Sequence, residues 1–294
     1  MVIKKMNKVV VIGGSGFIGS HVADCLSEIG YQVTIYDNIK SPWLRKDQKM
    51  VVGNILDFEE LKIVTEGAEF VYNFAGITDL NEASDNPIKT VEINILGNVN
   101  VLEACRINKI KRFVYASTIY VYSREGSFYR CSKQSSENYV EEYHKAFGLD
   151  YTILRYGSLY GPRADNTNGL YRIVDSALKS GKIQYKGDIE SMREYIHVED
   201  AARASISILD QDFKNDSVIL TGQEPMRVLD LLKMLAEIMN IPEDLVEFTD
   251  EHYNSHYTRT PYAYQPKLGR KYIPPTHVDL GQGLLQIIGE IDSQ

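Results

Sequence analysis

The sequence predicts an α/β fold of the Rossmann type, a doubly wound parallel sheet followed by a smaller C-terminal α/β domain. Three observations predict it. Strand and helix patterns alternate through the first half of the chain, an apolar run at residues 9–12 ends in a glycine-rich turn, and loops rich in Pro, Asn, Gly and Tyr follow residue 161. Repeated β–α units with right-handed crossovers give such a sheet. We expect a first domain over 1–160, to which about 193–212 returns, and a second domain over 161–294.

The composition is that of a folded protein with a sizeable core. Of 294 residues, 44% are hydrophobic, and the formal net charge is −8. The negative charge and the lack of a basic run argue against nucleic acid or an acidic membrane as a partner. The first eight residues lack an apolar signal core, and no segment approaches membrane-spanning length. Three scattered cysteines, Cys25, Cys105 and Cys131, predict neither a disulfide framework nor a metal site. We expect a cytoplasmic protein.

The turn after the first strand carries Gly13, Gly16 and Gly19, with the spacing G-x-x-G-x-x-G. The first glycine permits the tight turn, the second lets the backbone approach a pyrophosphate, and the third lets the helix pack closely on the strand. The pyrophosphate would lie at the N-terminus of the following helix, where free N–H groups and the macrodipole favour an anion. A strand before the loop and a helix after it are the context that this motif requires.

A second strand over residues 31–36 ends at Asp37, eighteen residues after Gly19. An acid at this position can accept hydrogen bonds from the hydroxyl groups of an adenosine ribose, and it repels a 2′-phosphate. Together with the glycine loop, this acid predicts a βαβ unit that binds NAD.

The remaining elements of the first half follow in alternation. Asp57 is placed to cap a helix, and the helix after Pro87 has apolar residues at helical spacing. In chain order the predicted elements are a strand at 50–53, a helix from 57, a strand and turn at 69–76, a helix after 87, a strand at 112–117, a helix at 131–147 and a strand at 151–155.

Tyr129 and Lys133 are four residues apart at the start of the helix that runs towards Phe147, so both project from one face. A tyrosine with a pKa near 10 is a poor base at neutral pH, and lowering that pKa by about three units takes roughly 4 kcal/mol. A lysine ammonium group and the positive nicotinamide of oxidised NAD are suitable sources. We expect Thr118, at the end of the preceding strand, to lie beside Tyr129 and to bond the substrate oxygen. These three are the predicted catalytic residues.

These motifs resemble those of the extended short-chain dehydrogenase/reductases, specifically the NAD-dependent sugar-nucleotide epimerase/dehydratase family with its UDP-glucose 4-epimerase-type enzymes. The resemblance covers nearly the whole chain. Asn54 stands where the family has an aspartate that reads adenine, and its amide oxygen can still accept from the adenine amino group. The resemblance implies cofactor contacts from Gly13, Gly16, Phe17, Ile18, Gly19, Asp37, Asn38, Asn54, Ile55, Phe74, Ala75, Gly76, Asn94, Tyr129, Lys133 and Tyr156.

The same resemblance narrows the reaction. In the family's 4,6-dehydratases the active-site Ser or Thr is followed by an Asp-Glu pair, whereas Thr118 is followed by Ile119 and Tyr120. The glutamate that the family's decarboxylases need near that position is also absent. A nucleotide-sugar 4-epimerase is therefore the first expectation. The alternatives are an NAD(P)-dependent nucleotide-sugar dehydrogenase or 4-keto-sugar reductase, and a cofactor-binding regulator without turnover.

The substrate side of the chain departs from the family in one respect. Only six residues separate Tyr122 from Tyr129, where related enzymes carry a much longer loop over the sugar pocket. The resemblance implies that Arg193 and Arg259 bind the nucleotide diphosphate through their guanidinium forks, and that Asn168 also contacts it. Solvated surface charge and a domain-interface salt bridge are the alternatives for both arginines. The resemblance also implies that His197 is structural and that Asp200 caps the next helix.

The resemblance further implies a homodimer and a role in supplying polysaccharide precursors. In similar enzymes two helices pair with their mates across a two-fold axis, and here these would be residues 88–108 and 131–147. An isologous dimer would cover apolar surface that one sheet face does not bury. The apolar residues expected on these helices are Val91, Ile95, Val99, Leu102, Tyr139, Val140, Tyr143 and Phe147.

Overall fold

The protein is described here from a computed structural model, which describes residues 7–249 and 256–263. Seven strands form one sheet in which every neighbouring pair is parallel. Its strands are β1 (Lys8–Ile12), β2 (Gln32–Asp37), β3 (Lys49–Val52), β4 (Phe70–Asn73), β5 (Arg112–Thr118), β6 (Tyr151–Tyr156) and β10 (Asp216–Leu220).

Five further strands form two small sheets in the second half of the described chain. One contains β7 (Ser158–Tyr160), β9 (Met192–His197) and β11 (Pro225–Arg227), and the other pairs β8 (Ile183–Lys186) with β12 (Val246–Thr249). The α-helices of the described residues are α1 (Phe17–Glu28), α2 (Phe58–Thr65), α3 (Leu80–Asp85), α4 (Pro87–Thr90), α5 (Gly97–Ile107), α6 (Ser127–Phe147), α7 (Gly169–Ser180), α8 (Val198–Ser207) and α9 (Val228–Met239). Three 3₁₀ segments lie at Ile119–Tyr122, Gln211–Phe213 and Glu243–Leu245.

The strand order of the large sheet is β10-β6-β5-β4-β1-β2-β3. The order reverses between β1 and β4, because the chain first moves outward through β2 and β3 and then returns to the other side of β1. Loops that leave such a reversal point diverge and open a crevice beyond the carboxyl ends of the strands. The doubly wound parallel sheet predicted from the sequence is confirmed.

The core lies on both faces of this sheet. Along β1, Val9 and Val11 pack with α1 on one face, whereas Val10 and Ile12 pack with α5 on the other. Successive side chains of a strand point to opposite faces of the sheet. Because helices cover both faces of this sheet, all four side chains are apolar. Because both faces of this strand are buried, the strand fixes the position at which the glycine loop after Ile12 begins.

The structure adds detail that the sequence patterns do not give. The sequence predicts that the chain returns to the first domain only up to about residue 212. Strand β10 also joins the large sheet, so this return continues to Leu220. His197, and not Asp200, caps α8, because its side chain accepts from the backbone N–H of Glu199. The helix expected after Pro87 is interrupted by a π-helical stretch over Val91–Leu96. The proposed boundary at residue 160 between two domains remains a prediction.

Two searches of the described residues bear on function classes. None of the helices there combines the length and apolar character that crossing a bilayer requires. No cluster of three or more His, Cys, Asp or Glu side chains suited to a metal ion occurs in the same part of the chain.

Candidate active site

The glycine loop after β1 packs against the loop after β4. Gly13 has a φ of +76°, and a Cβ atom at this position would lie 2.4 Å from the backbone nitrogen of Ala75. A Cβ atom on Gly19 would lie 2.3 Å from the carbonyl oxygen of Gly13, so α1 lies directly against the loop. Helix α1 begins at Phe17, where the first N–H groups of a helix have no partner inside it. An anion at this N-terminus would be bonded by backbone N–H groups and favoured by the helix dipole.

Asp37 at the end of β2 is fixed by the same loop. Its carboxylate accepts from the backbone N–H of Ser15 at 2.9 Å and from that of Ile39 at 3.3 Å. Each carboxylate oxygen keeps a further lone pair for a ligand hydroxyl group. Asn54 lies beyond the neighbouring strand, and its side-chain oxygen accepts from the N–H of Leu56 at 3.0 Å. That oxygen therefore keeps one lone pair for an adenine amino group, the contact that the family resemblance implies for Asn54.

A cavity of about 360 Å³ runs along the carboxyl ends of β1, β2 and β4. Predicted cofactor residues form much of its wall, namely Gly13, Gly16, Asp37, Asn38, Asn54, Ile55, Phe74, Ala75 and Gly76. Sequence reasoning did not single out five further wall residues, which are Thr78, Asp79, Glu82, Lys89 and Thr167. Only the structure brings Thr167, from the loop before α7, to this cavity.

Two other predicted cofactor residues have side chains committed to the protein itself. Asn94 is buried, and its amide bonds both the N–H and the carbonyl group of Ile77, at 2.7 and 2.9 Å, and also Ser132. It therefore holds the turn after Gly76, which forms part of the cavity wall. The Tyr156 hydroxyl group pairs with Ser205 Oγ at 2.6 Å inside the core. Direct contacts of these two residues with a cofactor remain predictions.

The three predicted catalytic residues lie together where β5 meets α6. The Thr118 hydroxyl group interacts with the hydroxyl group of Tyr129, and Lys133 Nζ lies 5.9 Å from the centre of the Tyr129 ring. Lys133 is also close to the cavity wall, because a Cβ atom on Gly76 would lie 3.8 Å from its Nζ. All three side chains are buried. The expected approach of Thr118 to Tyr129 is present.

Burial makes ionisation of this cluster costly. Burial raises the pKa of Tyr129 to about 12, although the interaction with Thr118 lowers that pKa in part. Burial lowers the pKa of Lys133 to about 8. The pKa of Tyr129 must therefore be lowered by more than the roughly three units that an exposed tyrosine would need. Forming the phenolate at pH 7 requires roughly 7 kcal/mol of preferential stabilisation of the anion, at about 1.4 kcal/mol per pH unit. The Lys133 ammonium group and a cationic nicotinamide ring are the groups that can supply it.

The short segment between Thr118 and Tyr129 places a second tyrosine, Tyr120, against Tyr129. The Tyr120 ring lies edge-on to the Tyr129 ring, with centroids 6.2 Å apart, and its hydroxyl group lies 2.6 Å from Nδ1 of His256. Tyr257 packs on the other side of Tyr120 at 4.8 Å. Sequence reasoning missed Tyr120 and His256 as site residues, because 136 residues separate them along the chain.

The predicted substrate residues are only partly brought to this pocket. The Arg193 guanidinium group stacks over the Tyr257 ring at 4.4 Å, and Tyr257 in turn packs against Tyr120, the neighbour of Tyr129. Arg259 is exposed on the adjoining segment. Asn168 caps α7 by accepting from the N–H of Tyr171, and it also donates to the carbonyl oxygen of Leu159. Diphosphate contacts from these three residues remain predictions.

The geometry is that of a dinucleotide cavity with a buried tyrosine and lysine at one end. A model of the NAD-dependent epimerase/dehydratase family matches residues 9–220, which include the glycine loop, the cavity and the cluster of Thr118, Tyr129 and Lys133. The chain belongs to this family. It is therefore an NAD-dependent nucleotide-sugar enzyme of the extended short-chain dehydrogenase type.

Relatives within the family have different activities. A putative UDP-glucose 4-epimerase of Methanocaldococcus jannaschii is 32% identical over 74% of this chain and 77% of that protein. The dTDP-D-glucose 4,6-dehydratase of Dictyostelium discoideum is 29% identical over 69% of this chain but only 56% of its own length. Family membership thus gives the substrate class but leaves the reaction to be argued from the site.

Solved structures of family members share this fold. The UDP-glucose 4-epimerase of Thermotoga maritima with UDP-glucose has a TM-score of 0.81 and 28% identity, covering 87% of this chain and 90% of that one. The Thermus thermophilus enzyme in complex with NAD has a TM-score of 0.78 and 25% identity, covering 90% and 95%. NAD fits the site of the present protein, because the cavity is lined by Gly16, which directly precedes helix α1, and by Asp37, whose carboxylate oxygens can accept from ribose hydroxyl groups.

Proposed function

We propose that this family member is a nucleotide-sugar 4-epimerase that oxidises the sugar at C4 and then reduces the ketone from its other face. One observation carries the proposal. Thr118, Tyr129 and Lys133 converge beside the NAD cavity, and no carboxylate follows Thr118 on its strand end. Bound NAD supplies the hydride acceptor and donor. An epimerisation needs nothing more from the protein than a proton acceptor, an oxygen-binding hydroxyl group and a cation.

Each residue of the cluster has a distinct task in this proposal. Tyr129, as the phenolate, takes the proton of the C4 hydroxyl group during oxidation and returns it after reduction. Thr118 bonds the same substrate oxygen and holds it near Tyr129. Lys133 stays protonated and stabilises the phenolate in a site from which water is largely excluded, where its charge is most effective.

The residues after Thr118 support epimerisation over dehydration. Ile119 is buried and has no titratable group, and the hydroxyl group of Tyr120 is bonded to His256. An elimination needs a base for the C5 proton and an acid for the departing hydroxyl group, which the family's dehydratases supply as an Asp-Glu pair. Substrate contacts fit the same pocket: we assign the nucleotide diphosphate to Arg193 and Arg259, with Asn168 beside them.

A panel of UDP-, dTDP-, GDP- and CDP-sugars tests the proposal. The purified protein should convert one or more of them into the C4 epimer without any net change in nicotinamide absorbance. A stoichiometric absorbance change would instead identify a nucleotide-sugar dehydrogenase or 4-keto-sugar reductase. Tight NAD binding without turnover of any sugar would identify a non-catalytic regulator.

Three further properties belong to the same proposal. A homodimer is supported by exposed apolar residues on both expected helices, which include Val91, Leu96, Tyr139 and Phe147. Val140 and Leu102, also expected there, are buried in the core of one chain. Free cysteines fit a reducing cytoplasm. An epimerised nucleotide sugar would serve as a precursor for polysaccharide synthesis.

A further inference from the structure

Three consecutive residues at the end of β5 face three residues of α6 that lie one helical turn apart, and two of these three pairs are hydrogen-bonded. The pairs are Ala116 with Lys133 (carbonyl oxygen to Nζ, 2.7 Å), Ser117 with Glu137 (Oγ to Oε1, 2.5 Å) and Thr118 with Tyr129. Two of the three α6 residues carry the proposed chemistry. The third, Glu137, has no part in it, yet it is bonded to the neighbour of Thr118.

Glu137 is a buried carboxylate with both oxygens occupied. Arg155 donates to it from Nε at 3.0 Å and from Nη2 at 2.7 Å, in addition to the Ser117 bond. Ser117 and Arg155 are paired residues of the adjacent strands β5 and β6. The carboxylate therefore ties α6 to two strands at one level of the sheet. Tyr122 fixes the other side of the Arg155 guanidinium group.

Glu137 also provides the negative charge near Lys133. The Lys133 ammonium group faces the rings of Tyr115 and Tyr129, at 4.8 and 5.9 Å, and both phenols are neutral at pH 7. Gly76, in the turn after β4, lies beside it, since a Cβ atom there would lie 3.8 Å from Lys133 Nζ and 3.0 Å from the uncharged Asn94 side chain. Burial lowers the pKa of Lys133, and the negative charge of Glu137 offsets part of this by raising the same pKa.

We propose that Glu137 is a positioning residue: it fixes α6 against the strand end that carries Thr118, and it keeps the Lys133 ammonium group charged. Its effect on turnover rests on the proposed function. Its effect on Lys133 does not, since the charge of that side chain can be measured without a substrate.

The charge is tested by NMR titration of the full chain labelled with [ε-¹³C]lysine, in which Lys133→Met identifies the resonance. Glu137→Gln keeps acceptor and donor atoms but removes the charge, so we expect the Lys133 midpoint to fall by about one pH unit or more. Glu141→Gln, one turn further along α6 and without a bond to Ser117 or Arg155, should leave it unchanged. An unchanged midpoint in Glu137→Gln would overturn the proposal.

A second variant covers the case in which Glu137→Gln does not fold because Arg155 is left as an unpaired buried cation. The double variant Glu137→Gln, Arg155→Met removes both charges. Because Arg155 is absent from both proteins, the double variant should have a lower Lys133 midpoint than Arg155→Met alone, and equal midpoints would contradict the proposal.

The positioning role is tested by Ser117→Ala, which leaves the ion pair intact. We expect kcat to fall about tenfold with an unchanged dissociation constant for NAD and an unchanged Lys133 midpoint; an unchanged kcat would contradict this role. The two proposals can fail separately. A lowered midpoint in Glu137→Gln without turnover of any nucleotide sugar by the wild type would reject the epimerase alone. Formation of C4 epimers with an unmoved midpoint would reject the role of Glu137 alone.

Discussion

Lys133 Nζ donates to the carbonyl oxygen of Ala116 at 2.7 Å and lies 5.9 Å from the centre of the Tyr129 ring. The ammonium group is thus anchored to the strand that carries Thr118, with its charge directed along the face of the tyrosine. Two of its protons remain available after the bond to Ala116. This arrangement places a fixed cation between the tyrosine and the wall of the NAD cavity, and the proposed chemistry depends on it.

Tyr129→Phe should abolish most of the turnover while leaving NAD binding intact. The phenol is the proton acceptor of the proposal, and such a group contributes about 10²–10⁴-fold to the rate. Single-turnover kinetics and NAD titration measure the two effects separately. Tyr139→Phe, at an exposed position of the same helix, is the matched control and should turn over normally. Retention of full activity by Tyr129→Phe would show that another group takes the proton.

Gly13→Ala should destabilise the fold more than Gly67→Ala does. Both glycines have a positive φ, +76° and +69°, which costs an alanine about 1–2 kcal/mol. A Cβ atom at Gly67 meets nothing within 4 Å, whereas at Gly13 it meets the Ala75 nitrogen at 2.4 Å. We expect an additional loss of about 1–3 kcal/mol in the free energy of unfolding, measured in urea. Equal losses in the two variants would mean that the loops can separate without cost.

Much of the first half of the fold could be predicted from the sequence because its signals are local. The run of residues 9–12 requires two buried faces, and the glycines that follow it have few uses other than a close turn. Asp37 could be placed for the same reason, since it ends a strand of the same unit. Tyr129 and Lys133 share a helix, so their common face follows from their spacing.

The remaining features depend on contacts between distant segments. No local pattern predicts that Tyr120 meets His256, or that Thr167 reaches the NAD cavity. In the π-helical stretch, the Asn94 side chain bonds Ile77 and its carbonyl oxygen accepts from Ser136, two contacts with segments that the local pattern does not reveal. The capping of α8 by His197 in place of Asp200 depends on where β9 ends, and sequence boundaries are least certain at such junctions.

Asp37→Asn should weaken the preference for NAD over NADP. The carboxylate repels a 2′-phosphate, whereas an amide is uncharged and keeps one acceptor oxygen for the 2.9 Å bond from Ser15, at the loss of the 3.3 Å bond from Ile39. We expect the ratio of the two dissociation constants to change by about tenfold or more, which corresponds to about 1.4 kcal/mol. Calorimetric titration of both cofactors measures it. Asp47→Asn, at an exposed site paired with Arg45, is the control and should leave the ratio unchanged.

The protein should be a dimer at micromolar concentration. Light scattering should give about twice the chain mass of 33.4 kDa. Val91→Asp places a charge on one of the two helices proposed to pair, and we expect it to shift the mass towards that of one chain. Ile63→Asp, at an exposed apolar position on α2, should not do so. A monomer mass for the wild type would show that the exposed apolar residues of these helices need no partner.

The fate of the hydrogen at C4 tests the central proposal most directly. The nucleotide sugar identified by the panel would be prepared with deuterium at C4 and converted by the enzyme in ordinary water. Oxidation followed by return of the same hydride predicts an epimer that retains deuterium at C4, with no free NADH formed. An epimer that has exchanged its C4 deuterium for solvent hydrogen, or deuterium recovered in released NADH, would contradict the proposal.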